Sequence, residues 1–163
     1  MMGSGKSTVG QTLAELSNRE FRDTDKLLVH RLGRSISSFF RHYGEEAFRD
    51  HEFAMLKDLE PGPYVLATGG GIVIQERNWP ELQRIGDTIF LDVPLPLLLE
   101  RVERGKKRRP LLEADNWQDR YESMLMARRS LYERATYKIE VSDTDVEETA
   151  AKVIAILESG SNS

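Results

Sequence analysis

The sequence predicts an α/β fold in which a parallel β-sheet is covered by helices on both faces, giving three layers. Short apolar runs rich in β-branched residues alternate along the chain with longer stretches of helical periodicity, the pattern of strands joined by crossover helices. The 163 residues, 39% of them hydrophobic, fit one core better than two. We therefore expect residues 1–163 to form a single domain.

Helices are predicted where apolar residues recur every three or four positions. The first helix follows Gly5 and carries Val9, Leu13 and Leu16 on one face. The other predicted helices cover residues 25–32, 36–42, 45–59, 79–85, 95–104, 118–134 and 146–157.

Strands are predicted from short runs of β-branched and aromatic residues. Residues 64–68 and 88–93 are apolar runs of this kind, residues 21–23 end a third strand, and residues 137–141 alternate as in an edge strand. Ligands of parallel α/β sheets bind beyond the carboxyl ends of the strands. Polar motifs at the ends of these runs are therefore candidate site residues.

The composition excludes several classes of protein. The chain has no cysteine, which excludes a disulfide scaffold and a thiolate zinc site and fits a reducing cytoplasm. Its 23 Lys and Arg against 27 Asp and Glu leave a net charge of −4, which argues against nucleic-acid binding through a basic surface. No apolar run approaches the ~18 residues of a membrane span. We expect a cytoplasmic protein without nucleic-acid or membrane partners.

A glycine-rich segment near residue 1 is a candidate phosphate-binding loop. It consists of Gly3, Ser4, Gly5, Lys6, Ser7 and Thr8, the second half of the pattern G-x-x-x-x-G-K-[ST]. In such a loop backbone N–H groups surround phosphate oxygens, the lysine neutralises phosphate charge and the hydroxyl ligates Mg²⁺. For this segment alone, an ordinary glycine-rich helix start is the alternative.

The same pattern predicts that part of the fold is absent. Its first glycine would precede Met1, and so would the strand that leads into the loop. That strand is central in a nucleotide-binding sheet, so its absence would leave two neighbouring strands without hydrogen-bond partners. We therefore expect a truncated chain whose first strand is missing.

Two aspartates mark the end of the predicted strand at residues 21–23. Asp23 and Asp25 are two residues apart, and extended backbone would point both side chains the same way. One carboxylate could hold Mg²⁺, directly or through water, while the other accepts or orients a substrate hydroxyl. The alternative is that Asp23 or Thr24 caps the next helix.

An arginine and a run of glycines indicate recognition of a small anion. Arg49 could grip a carboxylate with two hydrogen bonds, or it could pair on the surface with Glu45 or Glu52. Residues 69–71 are all glycine and end a predicted strand, which indicates a close approach of the backbone to a ligand.

A basic segment predicts a lid. Residues 101–109 carry six positive charges and one negative charge, and Pro-Leu-Leu follows Arg109. A mobile segment with arginines, here about residues 104–117, can close over a triphosphate; a solvated helix end is the alternative. Arg128 and Arg129 form a second pair in a later helix, and residues 159–163 are expected to be a flexible tail.

The order and spacing of these segments resemble shikimate kinase. The resemblance rests on GSGKST, FRDTD, GEEAFR, ATGGG, RRPLL and RRSLYERA, which span essentially the whole chain. It implies a P-loop fold like that of nucleoside-monophosphate kinases. It also implies transfer of the γ-phosphoryl group of ATP to the 3-hydroxyl of shikimate, on the route to chorismate and the aromatic amino acids. Mg²⁺ is the implied cofactor, ATP and shikimate are the implied ligands, and we expect a monomer.

The resemblance implies roles for the phosphate loop and the two aspartates. Residues 3–8 would form the backbone cradle, with Lys6 neutralising the β- and γ-phosphates as a catalytic residue. Ser7 and Asp23 would hold the metal, Asp23 through water. Asp25 would bind the shikimate hydroxyls and is the candidate catalytic base.

The resemblance also assigns the remaining basic residues. Arg49 and Arg129 would grip the substrate carboxylate, and Gly70 would contribute a backbone contact in the same pocket. A separate catalytic arginine, Arg109, would swing in with the lid toward the γ-phosphate of ATP. Adenine would stack on Arg101, for which Arg104 is a rival.

Two other functions remain open from the sequence. Another small-metabolite kinase of this fold, such as a gluconate kinase, would share the phosphate loop but has no need for the other motifs. An inactive binding or regulatory module derived from the kinase fold would fit the absent first glycine and strand.

Overall fold

A computed structural model describes residues 1–105, 116–142 and 145–160 of the chain. Its strands are β1 (Glu20–Asp23), β2 (Tyr64–Ala67), β3 (Ile89–Asp92) and β4 (Tyr137–Glu140). Its helices are α1 (Lys6–Leu16), α2 (Thr24–Leu32), α3 (Ile36–Asp58), α4 (Asn78–Ile85), α5 (Leu95–Arg104), α6 (Trp117–Tyr132) and α7 (Val146–Gly160), with a short 3₁₀ helix at Ile72–Ile74. Helices and strands alternate as the sequence predicts.

The third helix differs from the prediction. The sequence predicts separate helices at residues 36–42 and 45–59, whereas α3 runs across both. Gly44 lies inside α3 with φ of 82° and ψ of 173°, so the helix is kinked there. Glycine adopts this positive φ at little cost, which lets the chain change direction within one continuous element.

The strands form two parallel pairs. β1 pairs with β2, with Glu20 opposite Tyr64, and β3 pairs with β4, with Ile89 opposite Tyr137. The predicted parallel pairing is therefore confirmed, but the described strands form two separate two-stranded sheets. Within the described residues, β2 and β3 are each paired along one edge only. This agrees with the expectation that two neighbouring strands lack a partner.

The described helices and strands share one hydrophobic core. Helix α1 contacts β1, β2 and α7, so it joins the first part of the chain to the last. Leu28 of α2, Leu56 of α3, Val102 of α5 and Val153 of α7 are almost fully inaccessible to solvent and belong to the same cluster. Burial of such side chains is the main favourable contribution to folding.

Two sequence-based expectations fall partly outside the described residues. The predicted lid at residues 104–117 includes residues 106–115, and the predicted tail includes residues 161–163; neither segment is described. For the ranges that are described, the helices are too short or too polar to cross a membrane.

Replacing Leu56 by Ala should test the core. Leu56 is fully buried, so we expect the free energy of unfolding to fall by about 2–5 kcal/mol through lost burial and the cavity left behind. The same truncation at Leu16, which is 57% exposed, is the control and should cost well under half as much. Urea denaturation measures both, and equal losses would contradict the assignment of the core.

Candidate active site

The glycine-rich loop leads directly into α1 and leaves its first turn open. Gly3 and Gly5 have φ of 80° and 83°, which glycine adopts readily. Gly5 is the N-cap residue of α1, and no side chain caps the helix. The N–H groups of a first helical turn have no partner within the helix, and the helix dipole adds positive potential there. The loop therefore offers a site for phosphate oxygens.

Lys6 lies across this loop. Its Nζ donates to the Met1 carbonyl oxygen at 2.5 Å and to Ser4 Oγ at 3.2 Å. Ser4 is buried, and its hydroxyl also donates to the Met1 carbonyl, at 2.8 Å. Thr8 is exposed in the first turn of α1. The ammonium group is thus positioned at the mouth of the glycine-rich loop.

Asp23 connects α1 to α2 through its two carboxylate oxygens. Oδ2 accepts a hydrogen bond from Ser7 Oγ at 2.9 Å. Oδ1 accepts from the backbone N–H groups of Asp25 at 3.0 Å and Lys26 at 3.3 Å, so Asp23 is the N-cap of α2. Both interpretations of Asp23 therefore hold in the structure, since it caps a helix and also faces the hydroxyl of the phosphate loop.

Asp25 lies in the first turn of α2, beside the glycines that follow β2. A side chain at position 69 would place its Cβ 2.6 Å from Asp25 Oδ1, so only glycine allows this approach. The surrounding protein desolvates the Asp25 carboxylate and Asp23 adds a like charge, and both effects raise its pKa. Lys6 and Arg49 act in the opposite direction. Asp25 therefore lies within electrostatic range of both cations.

Arg49 is buried and held by two carboxylates. Its guanidinium group donates to Glu52 at 2.9 Å and to Glu45 at 2.8 Å. Glu52 is itself buried, which raises its pKa, while Arg49 opposes that effect. A Cβ at Gly71 would lie 2.6 Å from Arg49 Nη2, so the guanidinium group packs against the glycine backbone. The expected pairing with glutamates and the approach to the glycine run occur together.

The carbonyl group of Gly70 is bound by a tyrosine of α6. Tyr132 Oη donates to the Gly70 oxygen at 2.6 Å. Burial raises the pKa of Tyr132, and the adjacent Arg128 guanidinium group lowers it. Arg128 also contributes, with Lys6, to lowering the pKa of the Met1 α-amino group, although burial is the main cause. Arg128 thus lies on the side of α6 that faces Gly70.

Arg129 has a different environment from Arg128. Its Nη1 and Nη2 donate to the two oxygens of Asp92, at 3.2 and 2.8 Å, and its Nε donates to Glu133 at 2.9 Å. The sequence analysis selected Arg129 for the substrate and overlooked Arg128. Helical spacing could have separated them, because Arg128 is four residues before Tyr132 and therefore shares its face.

Only one of the two candidate adenine arginines lies at the loop. Arg101 Nη1 is 3.9 Å from the position that a Cβ at Gly5 would occupy. Arg104 pairs with Glu100 and is largely exposed. The catalytic arginine predicted in the lid, Arg109, is outside the described residues. The described geometry therefore brings together the phosphate loop, Asp25, Arg49, Gly70 and Arg101.

Comparisons with known proteins identify the family. The family model described as shikimate kinase matches residues 2–158. This chain belongs to the shikimate kinase family. A shikimate kinase of Prochlorococcus marinus is 40% identical over 98% of this chain and 80% of its own length. One from Vibrio campbellii is 40% identical over 96% of this chain and 92% of its own length.

Solved structures agree with this assignment. A shikimate kinase from Acinetobacter baumannii, in complex with shikimate, has a TM-score of 0.89 and 37% identity and covers 98% of this chain and 89% of its own. A shikimate kinase from Bacteroides thetaiotaomicron has a TM-score of 0.89 and 30% identity and covers 96% of this chain and 94% of its own. The P-loop kinase fold is confirmed, and shikimate kinase is favoured over gluconate kinase and over an inactive module. As a shikimate kinase, the chain is an ATP-dependent phosphotransferase.

Replacing Asp25 by Asn should raise the free energy of unfolding near pH 7. The folded-state pKa of Asp25 is raised, so the ionised carboxylate is unfavourable in the folded protein at any pH above the unfolded pKa. The advantage of Asn should shrink as the pH falls through the raised pKa and disappear below the ordinary aspartate range. Urea denaturation at several pH values measures this dependence.

Asp50, an exposed surface residue paired with Arg77, is the matched control for an Asp-to-Asn change. The Asp50→Asn variant should show no such gain at neutral pH, because a surface ion pair contributes little. Equal responses of the two variants would contradict a specific electrostatic cost at Asp25.

Proposed function

We propose that this chain transfers the γ-phosphoryl group of ATP to the 3-hydroxyl of shikimate, giving 3-phosphoshikimate and ADP in aromatic amino acid biosynthesis. The observation that carries the proposal is the position of Asp25 between the lysine of the phosphate loop and the buried Arg49. A donor phosphate at the loop and an anionic polyol beside Arg49 would then both reach the same carboxylate. The relative solved with shikimate supports this choice of acceptor.

The nucleotide side consists of the loop and Arg101. Backbone N–H groups of residues 3–8 bind the phosphates, and Lys6 leaves the Met1 carbonyl to neutralise charge on the β- and γ-phosphates. Arg101, which packs against the loop at Gly5, provides a flat surface for adenine. Arg109 is proposed to reach the γ-phosphate from the lid segment.

Mg²⁺ is proposed as the cofactor, held by Ser7 and Asp23. A hydroxyl and a carboxylate oxygen 2.9 Å apart beside a phosphate loop are the oxygen donors that this ion prefers. When bound, the ion neutralises phosphate charge. Asp23 keeps its second oxygen on the α2 backbone, so metal binding and helix capping use different atoms of one side chain.

The substrate side consists of Asp25, two arginines and Gly70. Asp25 accepts the proton of the attacking hydroxyl, and its raised pKa suits a general base working near neutral pH. Arg49, held by Glu52, grips one side of the substrate carboxylate. Arg128 is our choice for the other side, because Asp92 and Glu133 already bind Arg129. The role first expected for Arg129 stays a prediction that the experiment below tests.

Little covalent chemistry is required of the protein in this reaction. Phosphoryl transfer depends on alignment of donor and acceptor and on stabilisation of charge. The loop and Lys6 act on the donor, Arg49 and Arg128 hold the acceptor, and Asp25 takes the released proton. We further propose that the enzyme works as a monomer in the cytoplasm, without nucleic-acid or membrane partners.

Mixing the protein with ATP, Mg²⁺ and shikimate should release ADP in a coupled assay. Gluconate in place of shikimate should give less than about a hundredth of that rate, because it does not satisfy the paired arginines and Asp25 together. The Asp25→Asn variant should lose roughly 10²–10⁴-fold in kcat, the usual contribution of a general base. Turnover with gluconate and none with shikimate would overturn the choice of substrate.

Arg128→Lys and Arg129→Lys form a matched pair that decides between adjacent arginines. Losing one two-pronged contact should raise the KM for shikimate by roughly 10-fold or more in the Arg128 variant, with little change in the KM for ATP. The Arg129 variant should keep both constants near the parent values. Steady-state kinetics with each substrate varied in turn make the measurement, and the reverse pattern would restore Arg129.

Arg49→Lys should also raise the KM for shikimate more than the KM for ATP. Lysine keeps the charge but cannot reproduce the fork that binds a carboxylate through two hydrogen bonds. Unchanged constants for both substrates, in a variant whose circular dichroism is normal, would show that Arg49 is structural.

A further inference from the structure

A cavity of about 300 Å³ lies between the two halves of the sheet. It is bordered by β2 on one side and β3 on the other, and neither β1 nor β4 contributes to its lining. Well-packed protein interiors leave few voids larger than a water molecule. A cavity of this size in the middle of a fold therefore has the dimensions of a binding site.

The cavity has the borders of a space for one β-strand. Residues 64–68 of β2 and its exit, and residues 89–91 of β3, all line it consecutively. Alternate side chains of a strand point to opposite faces, so a consecutive run along one cavity means that the backbone edge faces it. The other edges of β2 and β3 are occupied by β1 and β4. Two unused backbone edges thus face one space.

The direction of a strand in this space follows from its neighbours. All four described strands belong to parallel pairs. A Cβ at Gly70, three residues beyond the end of β2, would lie 3.4 Å from Met1 Cα, so Met1 is at the carboxyl end of β2. A strand parallel to both neighbours would therefore have its carboxyl end next to Met1.

The walls of the cavity call for an apolar occupant. Leu13 of α1 and Val153 of α7 line it, and so do Trp79 and Leu82 of α4. Burial lowers the pKa of the Met1 α-amino group to about 4, so this group is uncharged at neutral pH. Strands of parallel sheets that are buried on both faces are nearly continuous apolar runs. An apolar strand with an uncharged carboxyl end fits this environment.

We propose that the cavity binds one extended apolar peptide segment, which pairs in parallel with β2 and β3 and joins the two sheets into one of five strands. Its length would be about five residues, matching the short strands on either side. The backbone edges of β2 and β3 supply affinity, as in other complexes formed by strand addition. The side walls select apolar residues without charge.

Occupation of the cavity should also organise the phosphate loop. The Met1 carbonyl accepts from Ser4 and Lys6, and Tyr132 Oη lies 3.1 Å from Met1 Sδ. Residues 1–6 therefore form one end of the cavity and part of the nucleotide site at once. A strand that contacts Met1 would hold the loop in one conformation and increase nucleotide affinity. This second step rests on the proposed function, whereas strand binding does not.

Hydrogen exchange with a synthetic peptide tests the binding step. The probe is acetyl-Lys-Lys-Val-Ile-Val-Leu-Val-Gly-amide, whose lysines provide solubility, and the control peptide has Pro in place of the central Val. The first peptide should slow exchange of backbone amides in β2 and β3 by roughly tenfold or more. The proline peptide should not, because proline lacks the N–H group and is excluded from central strands. Equal protection by both peptides, or none by either, would overturn the proposal.

A matched pair of variants on α7 tests the location. Val153 lines the cavity, whereas its neighbour Ile154 does not. Val153→Phe should fill the space and weaken peptide binding by roughly tenfold or more, and Ile154→Phe should bind like the parent. Equal binding by both variants would place the peptide elsewhere and contradict the proposal. If Val153→Phe does not fold, the comparison of the two peptides on the parent protein still decides.

Nucleotide binding tests the second step separately. The dissociation constant of a fluorescent ATP analogue is measured with and without the peptide, in the absence of shikimate. We expect it to fall by roughly fivefold or more when the cavity is occupied. Unchanged nucleotide affinity with a bound peptide would refute the coupling to the loop. Because hydrogen exchange needs no turnover, failure of the proposed kinase reaction would be recognised independently.

Discussion

The organisation of the site depends on the two oxygens of Asp23. One oxygen caps α2 and so sets the position of Asp25 in the next turn, while the other accepts from Ser7 at the start of α1. A single carboxylate thereby fixes the phosphate loop relative to the proposed base. Asn or Asp serves equally well as an N-cap, but only an ionised carboxylate adds negative charge beside Ser7. Asp23 thus has a helix-capping function that is separable from its electrostatic one.

The cations around Asp25 are arranged at different electrostatic cost. Arg49 is buried, and Glu52 beside it is buried as well, so the pair holds a guanidinium group in place where an isolated charge would be unfavourable. Lys6 is held by oxygen atoms of its own loop, which a phosphate can replace. The first arrangement suits recognition of a fixed carboxylate, and the second suits a group that must follow phosphate charge.

Much of the fold could be predicted from the sequence, because periodicity and the glycine motifs are local signals. The four strands and the loop that precedes α1 were visible in this way. The continuation of α3 across Gly44 was not, since a glycine in a helical pattern favours a break as much as a kink. The choice between Arg128 and Arg129 depended on the Asp92 carboxylate, which is 37 residues from Arg129 in the chain and whose proximity no local pattern reveals. The division of the sheet was expected, but the enclosed cavity between β2 and β3 required tertiary structure.

The central claim is that Asp23 and Ser7 act together on the nucleotide while Asp23 separately caps α2. A double-mutant cycle with Ser7→Ala and Asp23→Asn, measured as kcat/KM for ATP at saturating shikimate and Mg²⁺, tests it most directly, because Asn preserves the cap. The account predicts strong non-additivity, with the double variant losing about as much activity as the more damaged single variant. Losses that simply add would contradict it, because the two side chains would then act independently.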